Sequence, residues 1–299
     1  MKISIVAQII VLMLLIQFTA SSDVFAQFWK SETITEYASS DTNTRKTKPI
    51  TLIDNPTANI LSRVDYVETG TLFNKRKVPV LMREVQFEIR LYNDGGVLGA
   101  ITAGLMEKLM FGISYGGRNL LGQGKALVND APGVNLRYVL YNETDTRPAI
   151  ALGFDSQGYG IYFSNLKRYQ IKSKGIFLTT SKNLDVTKDS GIGLHGGINY
   201  SLEDRDNDKD LNFFCGATVR VEKNLILLWE YDFATNDNEG KALGAGKGYM
   251  NAAIKAFISK RFALEFDIKN LLKNNKEVEG VLVPALNREL KIIYYEQLN

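Results

Sequence analysis

His195 is the single histidine in the 299-residue sequence, and acting as a general base it would need a serine nucleophile and an orienting Asn or Asp beside it. Asn199 and Ser201 fall on its side of a period-two pattern, but four and six positions along a strand are about 13 and 20 Å, beyond hydrogen-bond reach. Any partner must come from a neighbouring strand. A histidine satisfied inside the fold is therefore the plainer reading, and a hydrolase using His195 is the alternative. A serine hydroxyl within about 3 Å of the imidazole would favour that alternative.

Metal and phosphate chemistry find less support. One cysteine, Cys215, and one histidine leave zinc and iron sites short of their usual ligands and exclude an intrachain disulfide, so no cofactor is expected. The run EDRDNDKD at 203–210 spaces acids like the front half of a calcium loop. It has Lys209 where the sharp-turn glycine belongs and Cys215 where the bidentate Glu belongs, so it reads as a solvated turn that binds divalent cations weakly or bridges to lipopolysaccharide. The run GQGK at 122–125 opens no helix and reads as loop. Cys215, between Phe214 and Gly216 in a strand pattern, reads as a small apolar filler.

The remaining chemistry lies in charges set at alternate positions of apolar stretches. Glu88, Arg90, Arg137, Arg220, Glu230, Glu265, Asp267 and Lys269 share a register with one another and with His195. Turned into a narrow barrel they would form ion pairs that fill it, with Arg90, Arg137 and Arg220 neutralising Glu230, Glu265 and Asp267. Turned into an open one they would line a polar conduit or a sugar-contacting lumen, where Tyr92 and Tyr141 could stack on pyranose faces.

Such positions need strands to hold them, and from Glu84 onward the sequence supplies them. Twelve stretches alternate apolar with polar or small residues between turn signals: 85–93, 98–105, 109–116, 133–141, 149–155, 170–182, 191–203, 211–221, 225–232, 249–259, 262–270 and 288–296. Connections after the even-numbered stretches are short, as at 106–108 and 222–224, and those after the odd ones are mostly long, as at 117–132, 156–169 and 233–248. Only the DGG turn at 94–96 breaks that parity. Short turns on one side and long loops on the other are the pattern of an outer-membrane barrel, and an even strand number returns the chain to its starting side. Phe262, Leu264, Phe266 and Ile268 alternate with Ala263, Glu265, Asp267 and Lys269, giving one face for lipid and one for a lumen. Aromatic residues near strand ends suit interfacial girdles: Tyr92, Tyr115, Tyr138, Tyr141, Tyr200, Trp229, Tyr231, Tyr249, Tyr294 and Tyr295. A secreted sugar-binding sandwich with its apolar faces buried against each other is the competing architecture.

The start of the sequence agrees with export. Lys2 precedes an apolar run at 3–18, and Val24 and Ala26 place small residues for a cut after Ala26, so 1–26 reads as a signal peptide too short to span a bilayer. Residues 27–84 are polar and include the tract SSDTNTRKTKP, which reads as a periplasmic arm or plug, and 85–299 as the barrel. With 36 Lys and Arg against 33 Asp and Glu, evenly spread, no basic stripe singles out nucleic acid. The 45% hydrophobic content excludes a disordered chain.

Several strings together resemble a known family: DNPTANIL at 54–61, LYNDGGVLGAITAGLMEKLMFGISYGGRNLLG at 91–122, PGVNLRY at 132–138, PAIALGFDSQGYG at 148–160, YQIKSKGIFLTTSKN at 169–183 and GLHGGINYSLE at 193–203. They are similar to bacterial outer-membrane barrels of the YjbH/GfcD type, associated with exopolysaccharide or capsule secretion, over about 54–299. Residues 67–84 look like an insertion relative to that pattern, the longer members carry further domains, and no catalytic motif carries over. The resemblance implies an outer-membrane protein that helps an envelope polysaccharide cross. The expectation is an all-β single antiparallel barrel of about twelve strands with a structural or transport role. Outer-membrane lipid and lipopolysaccharide are its expected partners, with polysaccharide or a small solute as cargo; the sequence leaves oligomeric state open.

Overall fold

Period-two alternation from Glu84 to Gln297 is realised as strand after strand in a computed structural model, which describes residues 84–297 apart from 107, 123, 124, 130, 145, 164, 165, 173, 186–189, 223, 260 and 277–286. The expected signal peptide and residues 27–83 of the expected arm lie outside the described residues. The elements are β1 (Glu84–Tyr92), β2 (Gly96–Met106), β3 (Leu109–Arg118), β4 (Leu127–Val128), β5 (Gly133–Tyr141), β6 (Ala149–Asp155), β7 (Tyr159–Phe163) and β8 (Arg168–Ile171). They continue with β9 (Gly175–Asp185), β10 (Gly191–Ser201), β11 (Leu211–Glu222), β12 (Leu225–Asp232), β13 (Tyr249–Phe257), β14 (Phe262–Lys269) and β15 (Asn287–Gln297).

Twelve of these form a closed antiparallel barrel in which each strand pairs with the next, skipping β4 and the separate β7–β8 hairpin. Closure comes from β1 and β15, in register from Glu84 opposite Gln297 to Tyr92 opposite Glu289. With no open edge, every ladder group of the twelve strands has a neighbour on both sides, the condition for strands to cross hydrocarbon. No helix among the described residues is long and apolar enough to cross a membrane.

The barrel is polar inside and apolar outside. In β14 the side chains of Ala263, Glu265, Asp267 and Lys269 are buried, while Phe262, Leu264, Phe266 and Ile268 face out. Phe87, Leu194 and Trp229 on other strands are 43%, 51% and 45% exposed on the same outer surface. A sandwich would bury those faces against each other; here they form a belt, which rules out that architecture and is the arrangement of an outer-membrane barrel. Tyr115, Tyr138, Tyr200, Trp229 and Tyr294 lie on the outer face, as girdle residues should. Tyr249 and Tyr295 do not: both are buried on the inward register, one beneath the long loops and one near the short turns.

The sixth expected stretch is shifted. Residues 170 and 171 belong to β8, which pairs with β7, and the barrel strand β9 begins only where Gly175 meets Asp155 of β6. Residues 168–172 are buried without alternating, and the outward apolar row of Ile176 and Leu178 starts only with β9, so the period-two pattern is interrupted where the partner changes. At the DGG turn, Asp94 and Gly95 both take positive φ, 61° and 59°, as a tight hairpin requires. A Cβ on Gly95 would stand 1.9 Å from the Leu121 carbonyl oxygen, because the next long loop crosses there and donates the Leu120 and Leu121 amides to the Gly95 carbonyl.

Candidate functional site

The nine charged and histidine positions read from the sequence all lie on the inward face, each no more than 8% exposed. They do not form one site. Glu88, Arg90, Glu265, Asp267 and Lys269 join Lys255, Glu289 and Lys291 in a cluster on four adjacent strands, β13, β14, β15 and β1, holding four acids and four bases. Antiparallel register sets the cross-strand neighbours: Lys255 stands opposite Glu265, Glu265 opposite Lys291, and Lys291 opposite Arg90.

Glu265 takes Lys255 at 3.2 Å on one side and Lys291 on the other. Asp267 takes Lys291 at 2.9 Å and Lys269 at 3.8 Å, Lys269 reaches Glu289 at 2.7 Å, and Arg90 pairs with Glu88 at 2.7 Å and Glu289 at 3.6 Å. For Glu265 and Asp267 the expected arginine partners are corrected to lysines, because the register sets Lys255 and Lys291 directly opposite Glu265 and brings Lys291 and Lys269 to Asp267. Arg137 lies on the facing wall with its guanidinium 5.4 Å from the Phe177 ring centre. Glu230 accepts a hydrogen bond from Asn251 at 3.1 Å. Lys255, Glu289 and Lys291 were missed, although the same alternation through β13 and β15 carries the signal for them.

Beneath the ion pairs, near the short turns, Ile226, Leu228, Ala253, Phe257, Ala263, Ile293 and Tyr295 form an inward apolar cluster. Beside them, a cavity of about 30 Å³ is lined by Glu88, Arg90, Thr102 and Asn135 among others, room for about one water. The inward side chains of the ion cluster are buried at this level. Tyr141 is not part of the lumen: the bulge after Val139 turns it outward near the short turns, where Arg147 sits 4.9 Å over its ring. Tyr92 keeps the inward register, with its ring against Gly96 and its hydroxyl donating to the Gly117 carbonyl at 2.9 Å.

His195 does meet a serine. Ser181, its direct cross-strand partner on β9, places Oγ 3.0 Å from Nδ1, and Thr218 on β11 places Oγ1 3.1 Å from Nε2. That distance meets the criterion set for a nucleophile and base, but the group on the second nitrogen is a neutral hydroxyl. A triad needs a carboxylate or amide there to orient the ring and steady an imidazolium. The three side chains are buried in the lumen, and both ring nitrogens are satisfied by hydroxyls. Sequence reasoning missed Ser181 and Thr218 because cross-strand register is not written in one strand. Among the described residues no group of three or more His, Cys, Asp or Glu side chains is placed to hold a metal.

Above the lumen, the long loops lock together. The run 203–210 is not the solvated turn expected, for Glu203, Asp206 and Asp208 are buried. Arg168 of β8 donates to Asp206 at 2.7 Å and to both oxygens of Asp237 at 2.7 and 2.8 Å. Lys172 pairs with Asp206 at 2.8 Å and donates to the carbonyls of Asp208 and Asn236. Tyr249 closes the group by donating to Asp237 at 2.7 Å. Burial pushes the Asp237 carboxyl up, but the Arg168 guanidinium and the hydrogen bonds from Arg168 and Tyr249 outweigh it and hold it below the usual aspartate value. Farther round, Asn274 accepts the amides of Ala245 and Lys247, tying the loop after β14 to the loop after β12.

No family model matches the sequence, and no curated protein does. Solved structures similar to it are outer-membrane barrels. The KdgM porin shares 9% identity and a TM-score of 0.41, covering 71% of this chain and 98% of its own. The NanC porin shares 9% with a TM-score of 0.42, covering 71% and 99%, and Omp33 of Acinetobacter baumannii 8% with 0.42, covering 73% and 99%. Likeness at that level carries no argument about function; the outer-membrane barrel stands on its own closed sheet, apolar belt and polar interior.

Proposed function

We propose that the protein is an outer-membrane barrel with a transport role, which lets a small polar solute, a short saccharide among them, pass when the lumen ion pairs rearrange. The observation that supports this reading most is the eight-residue charged cluster held at membrane depth. Ionisable groups there are expensive, and a barrel needed only as an anchor is more stable filled with apolar side chains. Salt-bridge partners exchanged between neighbouring lysines offer a barrier that can shift sideways without leaving a charge alone. The resemblance to exopolysaccharide-associated barrels supports an envelope saccharide as the cargo, with 1–26 removed on export and the chain from 27 up to the start of β1 acting as a periplasmic arm.

The test is conductance of the refolded mature protein in planar bilayers, beside the charge-balanced variant Glu265→Gln/Lys291→Met. Wild type is expected to open rarely and the variant to conduct several-fold more often. Silence from both, while both keep the compact mobility of a folded barrel, would overturn a conduit through the lumen.

A further inference from the structure

At the long-loop end a second feature stands apart from the ion cluster. A cavity of about 390 Å³ lies between β4 and the loop carrying it, the β7–β8 hairpin and the start of the loop after β10. That volume is in the range of small-ligand sites and far above a water. Its lining brings two tyrosines, Tyr162 and Tyr169, together with the cations Arg118, Lys167 and Lys174 and a single acid, Glu203.

The acid is already occupied. Glu203 accepts the Tyr169 amide at 2.6 Å through one oxygen and the Lys174 amide at 3.1 Å through the other. These bonds fix the backbone of β8 and the residues after it, while the Lys167 and Lys174 side chains are exposed. Tyr169 is likewise held. Its ring lies on Gly158, where a Cβ would come 1.9 Å from Cγ, and it meets Tyr162 edge to face with ring centres 5.1 Å apart. Burial and the nearby Glu203 push its phenol up to about 12, so it stays neutral at working pH. Lys167, near the hairpin tip, takes a φ of 47°, a region that favours Gly or Asn. A long cation at a strained position beside a cavity is a cost that a purely structural turn does not need.

We propose that this cavity binds an anionic saccharide at the cell surface: tyrosine faces offer apolar contact to pyranose C–H groups, and Arg118, Lys167 and Lys174 take its carboxylates. Arginine and lysine outnumber the internally satisfied acid three to one, which selects a charged sugar over a neutral one. The site does not rest on lumen conduction, since each wall of it lies above the ion cluster.

The test is calorimetric titration of the detergent-solubilised mature protein with tetragalacturonate, with maltotetraose as the neutral control and short-chain lipopolysaccharide as the membrane-borne alternative. Tetragalacturonate is expected to bind at least about tenfold more tightly than maltotetraose, and the preference to shrink in 0.5 M salt as exposed charges are screened. Lys167→Gln/Lys174→Gln should remove most of that preference, and Tyr162→Ala should weaken both sugars. Equal binding of charged and neutral sugars, no binding of either, an unchanged preference in the lysine variant, or binding of lipopolysaccharide alone would each overturn the proposal. Bilayer conductance on the same preparations separates the two readings, because a silent barrel that still binds tetragalacturonate leaves this site standing.

Discussion

Glu265 sits between Lys255 and Lys291, each directly opposite it on a neighbouring strand, with no exposure of its own. Replacing it by Gln leaves two ammonium groups facing a neutral amide at membrane depth, and breaking a buried pair from one side costs about 3–5 kcal/mol. Removing Lys291 as well takes one charge of each sign from a cluster of four and four, and Asp267 keeps Lys269. The double variant Glu265→Gln/Lys291→Met is therefore expected to be more stable than the sum of the singles by more than about 1 kcal/mol, the sign of a coupled pair. Urea unfolding in detergent, followed by the mobility of the folded band, measures it; additive losses would mean that the acids and lysines are satisfied independently.

Among the elements, the β7–β8 hairpin and the loops after β10 and β12 are held by Arg168 and Lys172 against Asp206 and Asp237. Asp237 is held below its ordinary value, so its contribution is present above the unfolded aspartate pKa, about 3.9, and is lost as pH falls through the lower folded value. Protease resistance of these loops on intact cells should hold from pH 7 down to about 4 and fail only in stronger acid. Arg168→Met should abolish it at pH 7, since two buried carboxylates then lose the guanidinium they share. Resistance that fades between pH 7 and 5 would point to another group.

The hairpin also marks where the sequence stops being legible. Strand positions and their inward faces follow from alternation because each residue's side depends only on its parity. Partners across loops do not: Asp206 meets Arg168 at a separation of 38 residues, and acids spaced by two in a loop look the same whether water or an arginine receives them. His195 shows the same limit within the barrel. Its face was readable, but Ser181 and Thr218 come from strands on either side, fixed by register that turns and loops determine together.

At the scale of the whole molecule the chain is inverted relative to a water-soluble barrel, with its ion pairs inside and an apolar belt that includes Phe87, Leu194 and Trp229 outside. Its stability therefore depends on the ring being complete, because an opened ring would expose a strand edge to hydrocarbon where no water can satisfy it. The closing contact is β1 against β15, and β15 is also paired with β14, so the amide of a central β15 residue such as Ile292 belongs to a ladder on one side or the other. Ile292→Pro removes that donor and forces a fixed φ into an interior strand, a position from which the lost ladder bond excludes proline. The wild-type mature protein is expected to migrate faster on gels before boiling than after, and Ile292→Pro to lose most of that shift. The conservative Ile292→Val should keep it. A proline variant that retains the full shift would mean that the ring closes without β15, and a wild type with no shift at all would remove the closed barrel on which the lumen cluster depends.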